Sequence, residues 1–331
     1  MKNVIEEKVC KLSVIVPCFN AEKTIKFTLE SLEKQTYRGF QVIIVNDGST
    51  DKSLEVIDEY KNNSELLIHV FSKKNAGVSS ARNYAISKCN TEYITFLDAD
   101  DEYHPDFLRI MYNSLVENGT DTCICQYKFS NGFGNFDNSV SYVKNLVIDK
   151  YEMLELYTHH GTNKVNFVNF IYKSSILKEN NICFPQNIHY GEDTEFICKY
   201  IFHCASGAVF FRVPLYNYYC RENSATRSCN YQSIENIEAA KNVVNYWKND
   251  NKINLQWEEY FVSRAIWAVA KKFALHNYSY LIKLKGDYDV KLAMRIMVKV
   301  GERIGIRISS AIYLVSPRLF KVCVCLVDRV G

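Results

Sequence analysis

No run of about 18 apolar residues occurs anywhere in these 331 residues, so the chain offers no obvious transmembrane helix. Its charged start, Met1–Lys11, leads into an apolar run of only Leu12–Val16, which is too short for a signal peptide. No C-x-x-C pair exists among the twelve cysteines, and Cys123 and Cys125, like Cys323 and Cys325, alternate along apolar segments. The cysteines are therefore expected to be small buried hydrophobes in a reducing cytoplasm, without a zinc or disulfide role. Both G-x-G-x-x-G and G-x-x-x-x-G-K-[ST] are missing, which argues against a standard dinucleotide fold and a P-loop. There is no internal repeat and no low-complexity linker.

What is present is an ordinary globular composition, 47% apolar and 23% charged, with length for one large domain and an appendage or for two domains. The net charge of +3 is unevenly spread. From Lys291 onward eight basic residues face two acidic ones, Glu302 and Asp328, which leaves the acid-bearing body negative. The basic balance belongs to the tail, and no nucleic-acid partner is expected.

Strand and helix signals alternate through the first third. Apolar strands are expected at Leu12–Pro17, Phe40–Val45, Leu66–Phe71 and Tyr93–Leu97, with helices after Asn20, through Leu54–Tyr60 and over Val78–Ser87. That alternation predicts an α/β fold with a mainly parallel, doubly wound sheet. A helix over Pro105–Asn118 and strands at Thr122–Phe129 and Ser139–Val147 follow, the strands separated by Asn131-Gly132-Phe133-Gly134. Phe167–Ile171 is apolar and aromatic, Glu192–Phe202 reads as a helix and Val209–Tyr219 as a strand. Beyond about Asn230 the pattern is helical, over Ile234–Trp247, Trp257–Leu275 and Val290–Ile304.

The densest chemistry lies where the fourth strand stops, at Asp98-Ala99-Asp100-Asp101. Three carboxylates within four positions repel one another unless something positive is held among them. Mg²⁺ uses few protein carboxylates and leaves its other positions to substrate phosphates. Open α/β sheets bind ligands at the carboxyl ends of their strands. Asp98 and Asp100 thus read as a metal–diphosphate site, against the plainer reading of an acidic cap on the helix after Pro105.

Three further signals precede it. Val14-Ile15-Val16-Pro17-Cys18-Phe19-Asn20 is a strand in which Pro17 is expected to stop the ladder and fix a turn, while Phe19 offers a flat face for a base. Val45-Asn46-Asp47-Gly48-Ser49-Thr50-Asp51 ends a second strand in an acid able to accept the N3–H of a uracil ring. Asn75-Ala76-Gly77-Val78-Ser79-Ser80-Ala81-Arg82-Asn83 sets Arg82 on the first turns of a helix, and Gly191-Glu192-Asp193-Thr194-Glu195-Phe196 follows about 90 residues after Asp100. Core packing for Phe19, a surface position for Arg82 and helix N-terminal charge for Glu192-Asp193 are the competing plain readings. His159, His160, His189 and His203 show no ligand spacing tied to the acids and read as structural or surface groups.

This ordered set resembles the family-2 glycosyltransferases with the GT-A fold, over about Lys11–Tyr219. The resemblance implies a catalytic domain over 1–229, with nucleotide-sugar binding in about its first 105 residues, and a helical C-terminal region over 230–331. It further implies that Pro17 and Phe19 line the base, Asp47 bonds it, and Arg82 lies by the base or diphosphate. Asp98 would approach the ribose, Asp100 would hold Mn²⁺ or Mg²⁺, and Asp193 would be the base that takes the acceptor's proton. Phe19 stands where the family often has Tyr, and Asn46 replaces a frequent Asp. Glu192 and Tyr218 are candidate acceptor contacts, Tyr218 because its ring has an apolar face and a polar tip; strand packing is the plainer reading of Tyr216, Tyr218 and Tyr219.

The chemistry expected is single displacement with inversion, from a UDP-linked donor to a hydroxyl of a glycan or lipid-linked acceptor, in assembly of a surface polysaccharide such as O-antigen or capsule. The alternatives are a sugar-phosphate nucleotidyltransferase, for which Pro17-Cys18-Phe19-Asn20 stands where a Gly-rich loop is needed, and a non-catalytic membrane-bound scaffold retaining the fold. The tail from Lys291 to Arg329 is expected to meet the cytoplasmic face of the membrane. Lys291, Arg295, Lys299, Arg303 and Arg307 recur every four residues, with Met294, Met297, Val298, Ile304 and Ile308 between them. Ile312, Leu314, Val315, Leu319 and Phe320 continue the apolar surface around Pro317. The competing expectation is that these apolar residues are packed inside and only the basic ones face water.

Overall fold

The computed structural model of this chain describes residues 10–130, 132–134, 145–158, 164–219, 229–301 and 303–328. They divide into two compact units, one from 1–186 with 200–221 and one from 187–199 with 222–331. Asn131, most of the strand expected over Ser139–Val147, and His159 and His160 lie outside the described residues.

The first unit is built on β1 (Leu12–Cys18), α1 (Ile25–Glu33), β2 (Phe40–Asn46), α2 (Ser53–Asn63), β3 (Ile68–Ser72), α3 (Val78–Lys88) and β4 (Tyr93–Phe96). Strands β1, β2 and β4 are buried along their whole length, which is why they read as continuous apolar runs. They pair in parallel in the order β3-β2-β1-β4. All four therefore deliver their carboxyl ends to one edge of the sheet.

Beyond β4 the sheet becomes mixed. β5 (Glu102–Tyr103), α4 (Phe107–Asn118), β6 (Thr122–Ser130), β7 (Leu146–Ile148), α5 (Lys150–Thr158), β8 (Phe170–Lys173) and α6 (Ser174–Glu179) follow in the chain. β8 runs antiparallel to both β4 and β6. After α7 (Glu192–Phe202), β9 (Ala208–Tyr219) pairs parallel with β6 and antiparallel with β5 and β7. The α/β expectation holds; the continuous parallel run is the four-stranded half that carries the acids, and β6–β9 is a further parallel pair.

One local expectation is corrected. Pro17 does not stop its strand: β1 runs on through Cys18, with Pro17 opposite Val45. The β1–β4 ladder has already ended at Ile15 opposite Phe96, so Pro17 stands past that pairing, where a missing N–H is tolerated.

The second unit is helical after Cys229: α8 (Glu235–Trp247), α9 (Leu255–His276), α10 (Tyr278–Asp287), α11 (Val290–Val300), α12 (Ile304–Val315) and α13 (Pro317–Asp328). Asn254, Asn277 and Asp289 each cap a helix by accepting from a backbone amide, those of Trp257, Ser279 and Leu292. The core gathers Trp267, Phe273, Leu284, Met294, Met297, Ile306, Tyr313 and Phe320.

The helix expected over Val290–Ile304 is two helices. Gly301 donates to the Met297 carbonyl and then turns extended, at φ −58° and ψ 129°. A Cβ there would sit 2.4 Å from the Met297 oxygen, so the close approach requires glycine. The basic residues spaced by four do not share one helical side: Lys291, Arg295 and Lys299 lie on α11, Arg307 on α12. Met294 and Met297 are core residues, not a surface for lipid. Among the described residues no helix is long and apolar enough to cross a membrane.

Candidate active site

The turns after β1 and β2 are clasped together. Asn20, at φ 48°, accepts from the Thr50 amide at 2.9 Å and donates its own amide to Ser49 Oγ at 3.0 Å. The amide of Ala21 reaches Ser53 Oγ at 2.7 Å, and the Glu22 amide reaches Asp51 at 3.1 Å. Burial pushes the Asp51 carboxyl up, but hydrogen bonds from the Ser53 hydroxyl and from backbone amides outweigh it and hold the group below its ordinary value. The clasp leaves Phe19 at the end of β1 with half its surface exposed, so it is not a core residue.

Asp47, at the end of β2, is buried. Its carboxylate accepts from Lys73 Nζ at 2.5 Å and from the amides of Ala76 and Gly77 at 3.1 and 2.8 Å. A carboxylate has about four acceptor sites, and these three donors leave roughly one for a base N–H. Gly77 takes φ 89° and ψ 163° just before α3, a region open essentially to glycine alone. Asp47 therefore fixes the approach of the Lys73–Gly77 segment into the helix that bears Arg82.

Arg82 is buried, not on the surface. Its Nη2 lies 2.9 Å from Asp98 Oδ1, and its guanidinium carbon lies 4.4 Å from the ring centre of Phe167 and 5.2 Å from that of Phe184. The flat, delocalised cation is stacked while its edge holds a carboxylate. The Asp98 side chain keeps 26% of its surface open. Asp100 is partly exposed, whereas Asp101 is buried and accepts from the Tyr216 hydroxyl at 2.6 Å and the Tyr219 amide at 2.8 Å. Burial, with Asp100 and Asp98 beside it, pushes the Asp101 carboxyl well above its ordinary value. The three acids thus divide: two stay partly exposed after the strand end and one is buried against β9.

Thr24, just before α1, and Thr28 on it donate to the carbonyls of Ala99 and Asp101, both at 2.9 Å, and brace this turn. Among the described residues no group of three His, Cys, Asp or Glu side chains is placed to hold a metal. Asp98 and Asp100 could hold a divalent cation only with further ligands supplied from outside the protein, as a diphosphate would.

Asp193 and Glu192 open α7, described within the second unit, and both are partly exposed. The preceding loop is tied to α8 by the amides of His189 and Tyr190, which donate to Glu235 at 2.6 and 3.2 Å. Gly191 sits at φ 91°, where an added Cβ would meet Ala239 at 2.8 Å. Asp193 Oδ1 accepts from the Thr194 amide at 2.7 Å. Glu195 is buried against Lys199 at 2.6 Å and Asn242 at 2.9 Å, so its role is to tie α7 to α8.

Residues 13–179 match the family described as Glycosyl transferase family 2. The chain belongs to that family. Glycosyltransferase GlyA of Streptococcus pneumoniae serotype 4 is 35% identical over 127 residues, which are 38% of this chain and 18% of GlyA. Poly(ribitol-phosphate) beta-N-acetylglucosaminyltransferase TarS of Staphylococcus aureus is 30% identical over 191 residues, 57% of this chain and 32% of TarS. The chain thus spans under a third of either of these relatives. The crystal structure of S. aureus TarS 1–349 in complex with UDP-GlcNAc matches with TM-score 0.68 at 22% identity, covering 96% of this chain and 92% of that one. The mannosyltransferase PcManGT from Pyrobaculum calidifontis, in complex with GDP-Man and Mn²⁺, matches at 0.56 and 14% identity, covering 96% and 86%. These structural likenesses are of fold, and they bear out the expected GT-A architecture with helices after it.

Phe19, Asp47 and Asp98 follow the carboxyl ends of β1, β2 and β4, and Arg82 on α3 is bound to Asp98, but sequence reasoning missed the residues that hold them. Lys73 carried a signal, a basic pair just ahead of Asn75-Ala76-Gly77. Asn83 carried none: its side chain accepts from the Phe184 amide at 2.8 Å and donates to the Phe184 carbonyl at 2.7 Å, across 101 residues. Tyr216 was read as strand packing, and its hydroxyl binds Asp101. Tyr218 is half-buried, with ring centres 5.6 Å from exposed Phe129 and 6.0 Å from Tyr127.

Proposed function

We propose that this family-2 chain transfers a hexose or N-acetylhexosamine, with inversion, from a UDP-linked donor to a hydroxyl of a glycan or lipid-linked acceptor. The observation that carries the reading is the Arg82-braced turn of Asp98 and Asp100 beside the Asp47 and Phe19 turns. Phe19 supplies an exposed ring for the base, and Asp47 supplies the remaining acceptor site for its N3–H. Pro17 holds the strand end from which Phe19 projects.

Mn²⁺ or Mg²⁺ held by Asp100, with Asp98 near it, would offset the negative charge growing on the departing diphosphate. Arg82 orients Asp98 through their 2.9 Å contact. Asp193 takes the proton of the acceptor hydroxyl as it attacks, with Glu192 and the Tyr218–Phe129 ring pair as acceptor contacts. One base and no covalent sugar intermediate give inversion. The UDP reading is supported by Asp47 and by the relative TarS, which is named a poly(ribitol-phosphate) beta-N-acetylglucosaminyltransferase and whose structure is in complex with UDP-GlcNAc. Nothing in the geometry favours the nucleotidyltransferase or scaffold alternatives.

The test is a panel of UDP-glucose, UDP-galactose, their N-acetyl forms and GDP-mannose with the full chain and Mn²⁺, read by melting temperature and nucleotide release. A UDP-sugar that raises the melting temperature and releases UDP is expected, because a ligand that binds only the native state stabilises it. Stabilisation by GDP-mannose alone would overturn the donor assignment.

A further inference from the structure

Helix α12 departs from an ordinary surface helix in burying two serines while exposing a row of apolar side chains. Its inner face, at helical spacing, is Ile306, Ser309, Ser310 and Tyr313, all buried. Ser309 Oγ accepts from Trp267 Nε1 at 3.1 Å and donates to the Ile306 carbonyl at 3.0 Å, so a hydroxyl is satisfied inside. Its outer face is Ile304, Ile308, Ala311 and Val315, all exposed, with Ile304 and Val315 open over 77% and 81% of their surface. Helix α13 continues the pattern: Phe320 and Val324 are buried while Leu319 and Val322 are exposed. A water-facing helix places its isoleucines inward and its serines outward. Contiguous exposed apolar surface of this kind marks an interaction site.

Charge on the page selects the occupant. Arg303, Arg307, Arg318 and Lys321 are all exposed on this segment. The sequence holds no Asp or Glu between Arg303 and Val327. A second copy of the chain pairing through the same face would set these cations against their own kind. An anionic bilayer surface offers apolar depth for the isoleucine row and negative headgroups for the basic residues. We propose that the outer face of α12 and α13, not α11, inserts into the headgroup layer of an anionic membrane. The face neither contains nor requires the sugar-transfer residues, so the proposal stands apart from that reading.

The experiment is co-sedimentation of the full chain with vesicles of phosphatidylcholine alone and of phosphatidylcholine with phosphatidylglycerol, at low and high salt. The expected result is binding to the anionic vesicles that weakens with salt. Val315→Glu with Leu319→Glu should weaken it about a hundredfold, two exposed apolar side chains being withheld from the interface. Arg318→Gln with Lys321→Gln should weaken it about 30-fold, from the increment of two basic residues at an anionic surface. Neither pair enters the core, and unchanged melting temperatures verify that the variants are folded. No binding by the wild type, equal binding to neutral vesicles, or binding that both pairs leave intact would overturn the proposal. So would a change of oligomeric state in the Val315/Leu319 pair without vesicle binding, which would assign the face to a second copy.

Discussion

The guanidinium of Arg82 lies 2.9 Å from the carboxylate of Asp98, with the Arg82 side chain almost wholly buried against Phe167 and Phe184. A cation so enclosed fixes the direction of the first acid in the turn. It also ties α3 to the end of β4.

Arg82→Ala removes the cation and leaves a largely enclosed carboxylate without it. Losing one partner of a buried pair costs about 3–5 kcal/mol, and the partial exposure of Asp98 places this case near the lower end. Urea unfolding should show that loss, and UDP binding should fall with it. Arg82→Lys keeps the charge but not the planar fork between two rings, so it should recover only part of either. Wild-type stability in Arg82→Ala would show that the pair contributes nothing to the fold.

Asp100→Ala should abolish metal-dependent UDP binding and leave the melting temperature of the free protein unchanged, since Asp100 is partly exposed while buried Asp101 carries the hydrogen bonds into the sheet. Calorimetric titration of UDP with and without Mn²⁺ reads the effect. Near-normal binding in Mn²⁺ would remove Asp100 from the donor site.

Asp193→Asn is nearly isosteric but cannot take a proton. Donor binding should survive, and turnover should fall by roughly two to four orders of magnitude. Loss of donor binding with undiminished turnover per bound donor would take Asp193 out of the base role. The anomeric configuration of the product, read by NMR coupling constants, tests inversion separately, and retention would contradict a single displacement.

Asp51 provides a pH test. Its folded-state carboxyl is held below its ordinary value by hydrogen bonds, so its stabilising contribution is fully present above the unfolded value, about pH 4. That contribution is lost as pH falls through the lower folded value. The stability gap between wild type and Asp51→Asn should be constant near neutrality and close below about pH 4 in urea melts. A gap that widens on acidification would reverse the assigned sign.

The strands that carry the acids were legible because each is buried on both sides and therefore largely apolar, and the acids begin where the apolar runs end. Helix α7 was legible to the residue. The motifs at Asp47, Arg82 and Asp98 could be named from type and order alone, since such sites draw on residues next to strand and helix ends. Burial could not be read: whether Arg82 faces water or two aromatic rings depends on Phe167 and Phe184, about 85 and 102 residues away in the chain. Nor could the sequence divide Asp98, Asp100 and Asp101, because the partner of the third acid is Tyr216, brought beside it by the antiparallel pairing of β5 and β9. In the tail, apolar and basic residues at helical spacing suit either a packed face or a lipid-facing one. The break at Gly301 and the serines turned inward on α12 separate the two helices: α11 buries Met294 and Met297, and α12 leaves Ile304, Ile308 and Val315 exposed. Local pattern determined which residues lie on helices, strands and turns. Contacts between residues distant in sequence decided what each of those faces meets.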